Sequence, residues 1–177
     1  MKYGALTLGQ VEAIINKLGG MDGVKRFLSS QPEAVVRTHI INCDVDPFVP
    51  KGWKVEEHIK GGELEWDPNK IQLYLSLNQQ RSGHYVEGHR LREELKSQSV
   101  LNANVLDYLL KNPHFIPEEW KGKTVFFWGT IYRHSNGNLC VRCLYWRGDD
   151  WGWSCYWLDY DWDSDNPAAT AGTASAT

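Results

Sequence analysis

The chain has 177 residues, a formal net charge of −3, 42% hydrophobic and 23% charged residues. These values suit one globular domain and exclude disordered, collagen-like and membrane classes, since no apolar run nears the roughly 20 residues of a membrane span. Four cysteines without metal-type pairing give neither a disulfide scaffold nor a zinc site, and the slight acidity disfavours nucleic acid as the main partner.

The start, MKYGALTLGQVEAII, has no continuous apolar core followed by a small-residue cleavage site. No secretory signal is read there, so a cytoplasmic location is expected, with display at a surface left open. Thr7-Leu-Gly-Gln10 reads as a capping box, and Leu8, Val11, Ile14, Ile15 and Leu18 follow at helical spacing until Gly19-Gly20. A second short helix is expected from Gly23 to Leu28. The pair, within residues 1–30, reads as a docking or oligomerising hairpin. A DNA-reading helix-turn-helix is disfavoured, because its charges are too few for a phosphate-binding face.

From Ala34 to Leu77 the pattern is strand-like: Val35-Val36, His39-Ile40-Ile41, Trp53-Lys54-Val55 and Ile71 to Leu75, punctuated by Pro47, Pro50, Gly61-Gly62 and Pro68. Glu87 to Lys96 reads as an amphipathic helix with Leu91 and Leu95 inward. Asn102 caps a further helix carrying Val105, Leu106, Leu109 and Leu110, which stops at Asn112-Pro113. Residues 124–133 and 138–147 read as strands joined by the hairpin signal Ser135-Asn-Gly-Asn138, with a third strand from Trp151 to Leu158. Beyond Pro167 the small polar tail, residues 168–177, offers nothing to pack and reads as flexible. The expected fold class is α+β, one domain preceded by the helical hairpin.

No enzyme signal stands out. Asp159-Tyr-Asp-Trp-Asp163-Ser-Asp165 begins like a calcium loop, but Ser164 and Thr170 occupy the positions that need Gly and Glu. A solvated acidic edge is the better reading. His84 and His89 are poorly spaced for two ligands on one helical face, and no third ligand is evident. Cys140 and Cys143 form a C-x-x-C on a strand, where they point to opposite faces and make no redox dithiol. No catalytic residue, metal ligand or cofactor is therefore assigned.

Two counts are abnormal. Five of the nine Trp (Trp146, Trp151, Trp153, Trp157 and Trp162) fall within seventeen positions, and residues 1–123 hold 11 Lys, 11 Glu, 6 Gln and 2 Met whereas residues 124–177 hold none. A soluble surface normally uses Lys and Glu freely. The C-terminal segment resolves into a frame of Trp, Leu, Pro and Ala with Arg, Gly, Asp, Ser, Cys, Tyr and Asn between. Every one of those fillers can be reached from an Asn codon by changing only adenines; Trp, Lys, Glu, Gln and Met cannot be reached from AAC.

In this Trp-spaced frame, running to Asn166-Pro-Ala-Ala169 after TVFFWGTIYR and LCVRCLYW, the chain resembles the variable proteins of diversity-generating retroelements. In that family a reverse transcriptase copies a template with errors at adenines and rewrites the end of a target gene. The resemblance implies a C-type-lectin-like fold over residues 34–167, with a small antiparallel sheet and a variable region at about 140–167. It also implies a non-catalytic binding role toward an unknown protein or other ligand. The implied ligand-binding residues are Tyr145, Arg147, Gly148, Asp149, Asp150, Gly152, Ser154, Cys155, Tyr156, Asp159, Tyr160, Asp161, Asp163, Ser164 and Asp165. The alternative is a Trp-rich carbohydrate- or calcium-binding domain without diversification.

Overall fold

The computed structural model describes residues 7–30 and 39–172. The chain divides into two units, residues 1–38 and 39–177. In the first, α1 (Leu8–Lys17) carries the expected capping box: Gln10 N–H donates to the Thr7 hydroxyl, and the Gln10 side chain accepts from Thr7 N–H at 2.9 Å. The second helix, α2 (Gly20–Ser30), starts three residues earlier than expected. Leu18 N–H returns to Ile14 O and Gly19 N–H to Asn16 O, each at 3.1 Å, so α1 closes immediately before it. Val35-Val36 lies outside the described residues.

The second unit is α+β. Its strands are β1 (Ile40–Asn42), β2 (Lys54–His58), β3 (Glu63–Glu65), β4 (Ile71–Tyr74), β5 (Val86–Glu87), β6 (Thr124–Arg133), β7 (Leu139–Trp146), β8 (Trp151–Trp157), β9 (Asp161–Trp162) and β10 (Ala168–Ala171). Helices α3 (Gly88–Leu95) and α4 (Ala103–Lys111) sit where the apolar periodicity puts them, capped by Glu87 and Asn102. Among the described residues no helix is long and apolar enough to cross a membrane.

The main sheet runs β4-β10-β6-β7-β8, with β2 paired to the distal half of β6. Strand β6 is a nearly continuous apolar run because it is buried on both faces. Val125 and Phe127 join Val105, Leu106 and Leu109 of α4 on one side. Phe126, Trp128 and Ile131 join Leu91 and Leu95 of α3 on the other. The sheet is thus the middle layer between α4 and α3.

The flexible-tail expectation is corrected for residues 168–171. They form β10, antiparallel to β4 and parallel to β6, with Ala168 and Ala169 buried in the two opposite cores. Their small size reflects close packing between neighbours, not a lack of partners. Residues 173–177 lie outside the described residues.

Candidate binding face

Parity along β8 sorts its side chains. Trp151 packs toward the α4 core, while Cys155 and Trp157 pack against Tyr132 and Cys140. Trp153 shares that face, with its ring 4.3 Å from the Arg142 guanidinium carbon and edge-on to Phe48. The opposite face carries Gly152, Ser154 and Tyr156, and Tyr156 packs against the core built around Leu91 and Trp162. Antiparallel pairing with β7 sets Tyr145 opposite Gly152 and Cys143 opposite Ser154.

On this second face Tyr145, Ser154, Tyr156, Asp163 and Asp165 surround a depression of about 460 Å³ that also touches Phe126 and Cys143. Tyr156 is fixed by rings on three sides: Trp162 at 5.0 Å, Tyr160 at 5.2 Å and Phe126 at 6.0 Å. Burial pushes the Cys143 thiol up to about 12, so it contributes packing and not reactivity. A larger groove, about 580 Å³, lies on the Trp face and is lined by scaffold residues, including Phe48, Asp107 and Arg142, and by Trp153.

Two turns bound the filler face. At one end Arg147 N–H donates to Asp150 O at 2.8 Å, and the Arg147 guanidinium meets the Asp150 carboxylate at 3.1 Å. Gly148 in this turn has φ +104, a conformation other side chains rarely adopt. At the other end Gly88 N–H donates to Tyr160 O, and His89 Nε2 lies 3.0 Å from Asp159 Oδ1.

Two of the expected binding residues are placed differently from the others. Gly152 is buried, because the Arg147 guanidinium lies over it where a Cβ would stand. Cys155 packs with Cys140 on the Trp face and also lines the depression; its odd position, in step with Trp151, Trp153 and Trp157, carried the first of these signals in the sequence. Tyr145 and Tyr156 are half-buried. Arg147, Gly148, Asp149, Asp150, Ser154, Asp159, Tyr160, Asp161, Asp163, Ser164 and Asp165 are exposed. The Trp frame is itself uneven: Trp162 is fully buried, whereas Trp153 is 38% exposed.

The acidic run folds into a local turn. Asp163 accepts the N–H of Asp165 at 2.9 Å and donates its own N–H to Asn166 Oδ1 at 3.2 Å, a closed local turn. Gln79, only 1% exposed, anchors that turn by donating to Asp163 O and Asn166 O. Sequence reasoning missed Gln79, since nothing local marks a glutamine as buried. Among the described residues one His/Asp/Glu set converges as metal ligands would: Glu87, His89 and Asp159.

The thiols differ in kind. A hydrogen bond from Cys140 holds the Cys155 thiol below its ordinary value, with Arg142 assisting against partial burial. Cys140 is pushed up by the same bond and by burial, and Cys43 is raised to about 11 by burial. Iodoacetamide is therefore expected to modify Cys155 first, at a pH below that of an ordinary thiol, with Cys43, Cys140 and Cys143 protected until unfolding. Peptide mass mapping across a pH series reads this; equal labelling of all four in the native chain would contradict it.

The fold and site together define an α+β protein that presents one polar and tyrosine-rich sheet face. Compared with known proteins, the chain matches no protein-family profile, no curated protein and no solved structure.

Proposed function

We propose that this chain is the variable protein of a diversity-generating retroelement, a non-catalytic binding module whose exposed residues between Tyr145 and Asp165 are rewritten at adenines. The observation that carries this reading is the absence of Lys, Glu, Gln and Met from all 54 positions after Lys123. Folding physics supplies no reason for it, because this segment contains exposed turns and strand positions where Lys and Glu are ordinarily common.

The geometry supports the same reading. Ser154 and Tyr156 lie across β8 from Trp151, Trp153 and Trp157, so these fillers and the β8 tryptophans occupy opposite faces, with Cys155 the exception. Tyr supplies rigid contact area at low entropy cost, and Ser, Gly and Asp supply adaptable polar contacts, as in antibody loops. The C-type-lectin-like arrangement of residues 34–167 belongs to this proposal; an α+β unit with helices on both sides of its sheet supports it only in outline. The fillers include six Asp (Asp149, Asp150, Asp159, Asp161, Asp163 and Asp165) and one Arg, Arg147. That balance favours a cationic or polar partner and an association rate that falls with salt.

The nucleotide sequence around the gene tests the proposal. The expected finding is a near-repeat of the segment encoding residues 140 to 169, differing only at adenines and beside a reverse-transcriptase gene. Differences spread over all four bases overturn it. For a selected binding partner, Tyr156→Ala and Tyr160→Ala are each expected to weaken binding by about 2 kcal/mol or more, measured by calorimetry. Undiminished binding by the double variant would remove the face from consideration.

A further inference from the structure

We propose that Glu87, His89 and Asp159 bind one borderline divalent metal ion of the zinc type, between the start of α3 and the turn after β8. The three residues come from two segments distant in sequence, and one ligand atom from each lies within 4.8 Å of the other two. His89 Nε2 and Asp159 Oδ1 already stand 3.0 Å apart. An ion with bonds of 2.0–2.2 Å holds tetrahedral ligands about 3.4 Å apart, so rotamer adjustments at exposed side chains complete the set.

Charge favours a cation at this point. Among the described residues no Lys or Arg pairs with Glu87 or Asp159, and β5–β9 pairing brings the carboxylate-bearing Asp161 opposite Glu87. Glu87 caps α3 through a long 3.4 Å bond from Arg90 N–H to Oε2 only. The N-terminal end of α3 opposes a cation here with about half a unit charge, which two full carboxylates outweigh. The donor set selects the metal. One imidazole with two carboxylates suits zinc and its neighbours, whereas calcium takes six to eight oxygens. Three protein ligands leave an outward position for water or for a donor from a bound partner.

The site stands without the retroelement reading, yet that reading extends it. Glu87 and His89 belong to the scaffold, and Asp159 is a filler. A first-adenine change in AAC gives Asp, His or Tyr, so a fixed half-site would gain or lose its third ligand as the surface is rewritten.

Calorimetric titration of zinc chloride into the intact chain tests the proposal, with cobalt absorption as a second readout. One saturable zinc site is expected, and His89→Ala and Asp159→Ala should each weaken it at least about tenfold. His84→Ala should bind as the parent does. All three side chains are exposed, so unchanged thermal melts will show that the variants fold. Absence of a saturable zinc isotherm, parent-like affinity in the His89 variant, or tighter calcium than zinc binding overturns the assignment. Absence of an adenine-marked repeat would sink the retroelement reading and leave this isotherm untouched, which separates the two failures.

Discussion

A chain ending at Pro167 is expected to lose cooperative unfolding altogether. Residues 168–171 form a strand inside the sheet, bonded to β4 along four register pairs from Ala168↔Tyr74 to Ala171↔Ile71. On its other sides Leu101 N–H donates to Ala169 O at 2.9 Å and Ala171 N–H to Ser99 O at 2.8 Å. Removing the strand unpairs backbone groups of β4 and of the segment before α4 and uncovers the two cores that Ala168 and Ala169 fill; each group left unsatisfied while buried, as at Leu101, costs about 1–3 kcal/mol. A domain holds only about 5–15 kcal/mol in total, so a few such losses suffice to unfold it. Ala169→Leu gives a graded version. Ala169 is fully buried against the α4 core, and overpacking there costs about 1–3 kcal/mol. Chemical denaturation followed by circular dichroism measures both. A native-like transition in the truncated chain would show that β10 is dispensable.

That strand also shows where reading the sequence stops. AATA after Pro167 has small side chains, no periodicity and no charge, which is equally the signature of a frayed end and of a strand squeezed between two neighbours. Only the partners β4 and β6 decide, and they lie distant in sequence. Strand β3, Glu63–Glu65, escaped for a related reason: two of its three residues are charged and its pairing with β1 is non-local. Local signals served well where the chemistry is local. Asn102 caps α4 through Asn104 N–H, and the Asn136-Gly137 turn joins β6 to β7. On the candidate face, strand parity puts Ser154 and Tyr156 opposite the β8 tryptophans and Cys155 among them. Burial of Gly152 depends on the Arg147 side chain folding back, which no pattern encodes.

Breaking the Arg142–Asp107 pair is expected to be the most damaging single side-chain change, costing about 3–5 kcal/mol for Arg142→Ala or Asp107→Ala. Arg142 in β7 is 1% exposed, and its Nη1 and Nη2 donate to the Asp107 carboxylate of α4 at 3.2 and 2.8 Å. Phe48 and Trp153 cover the guanidinium, with its central carbon 5.2 and 4.3 Å from their ring centroids. Nε finds no partner among the described residues. The arrangement ties helix to sheet, but the desolvation cost of burying both charges offsets much of their attraction. The harm in a single variant therefore comes from the charge left behind. The double variant Arg142→Met, Asp107→Leu should accordingly lose less stability than either Arg142→Met or Asp107→Leu alone, a non-additivity that this double-mutant cycle reads directly. A double-variant loss equal to that of a single variant would mean the pair stabilises by attraction alone, and additive losses would mean that the two residues do not couple. Substitutions at exposed Asp149, Ser154 or Ser164 should stay within about 0.5 kcal/mol in the same denaturation assay. The proposed rewriting of this surface would require this contrast: β8 is held from behind by a buried ion pair and tryptophans, while the side chains in front make few such contacts.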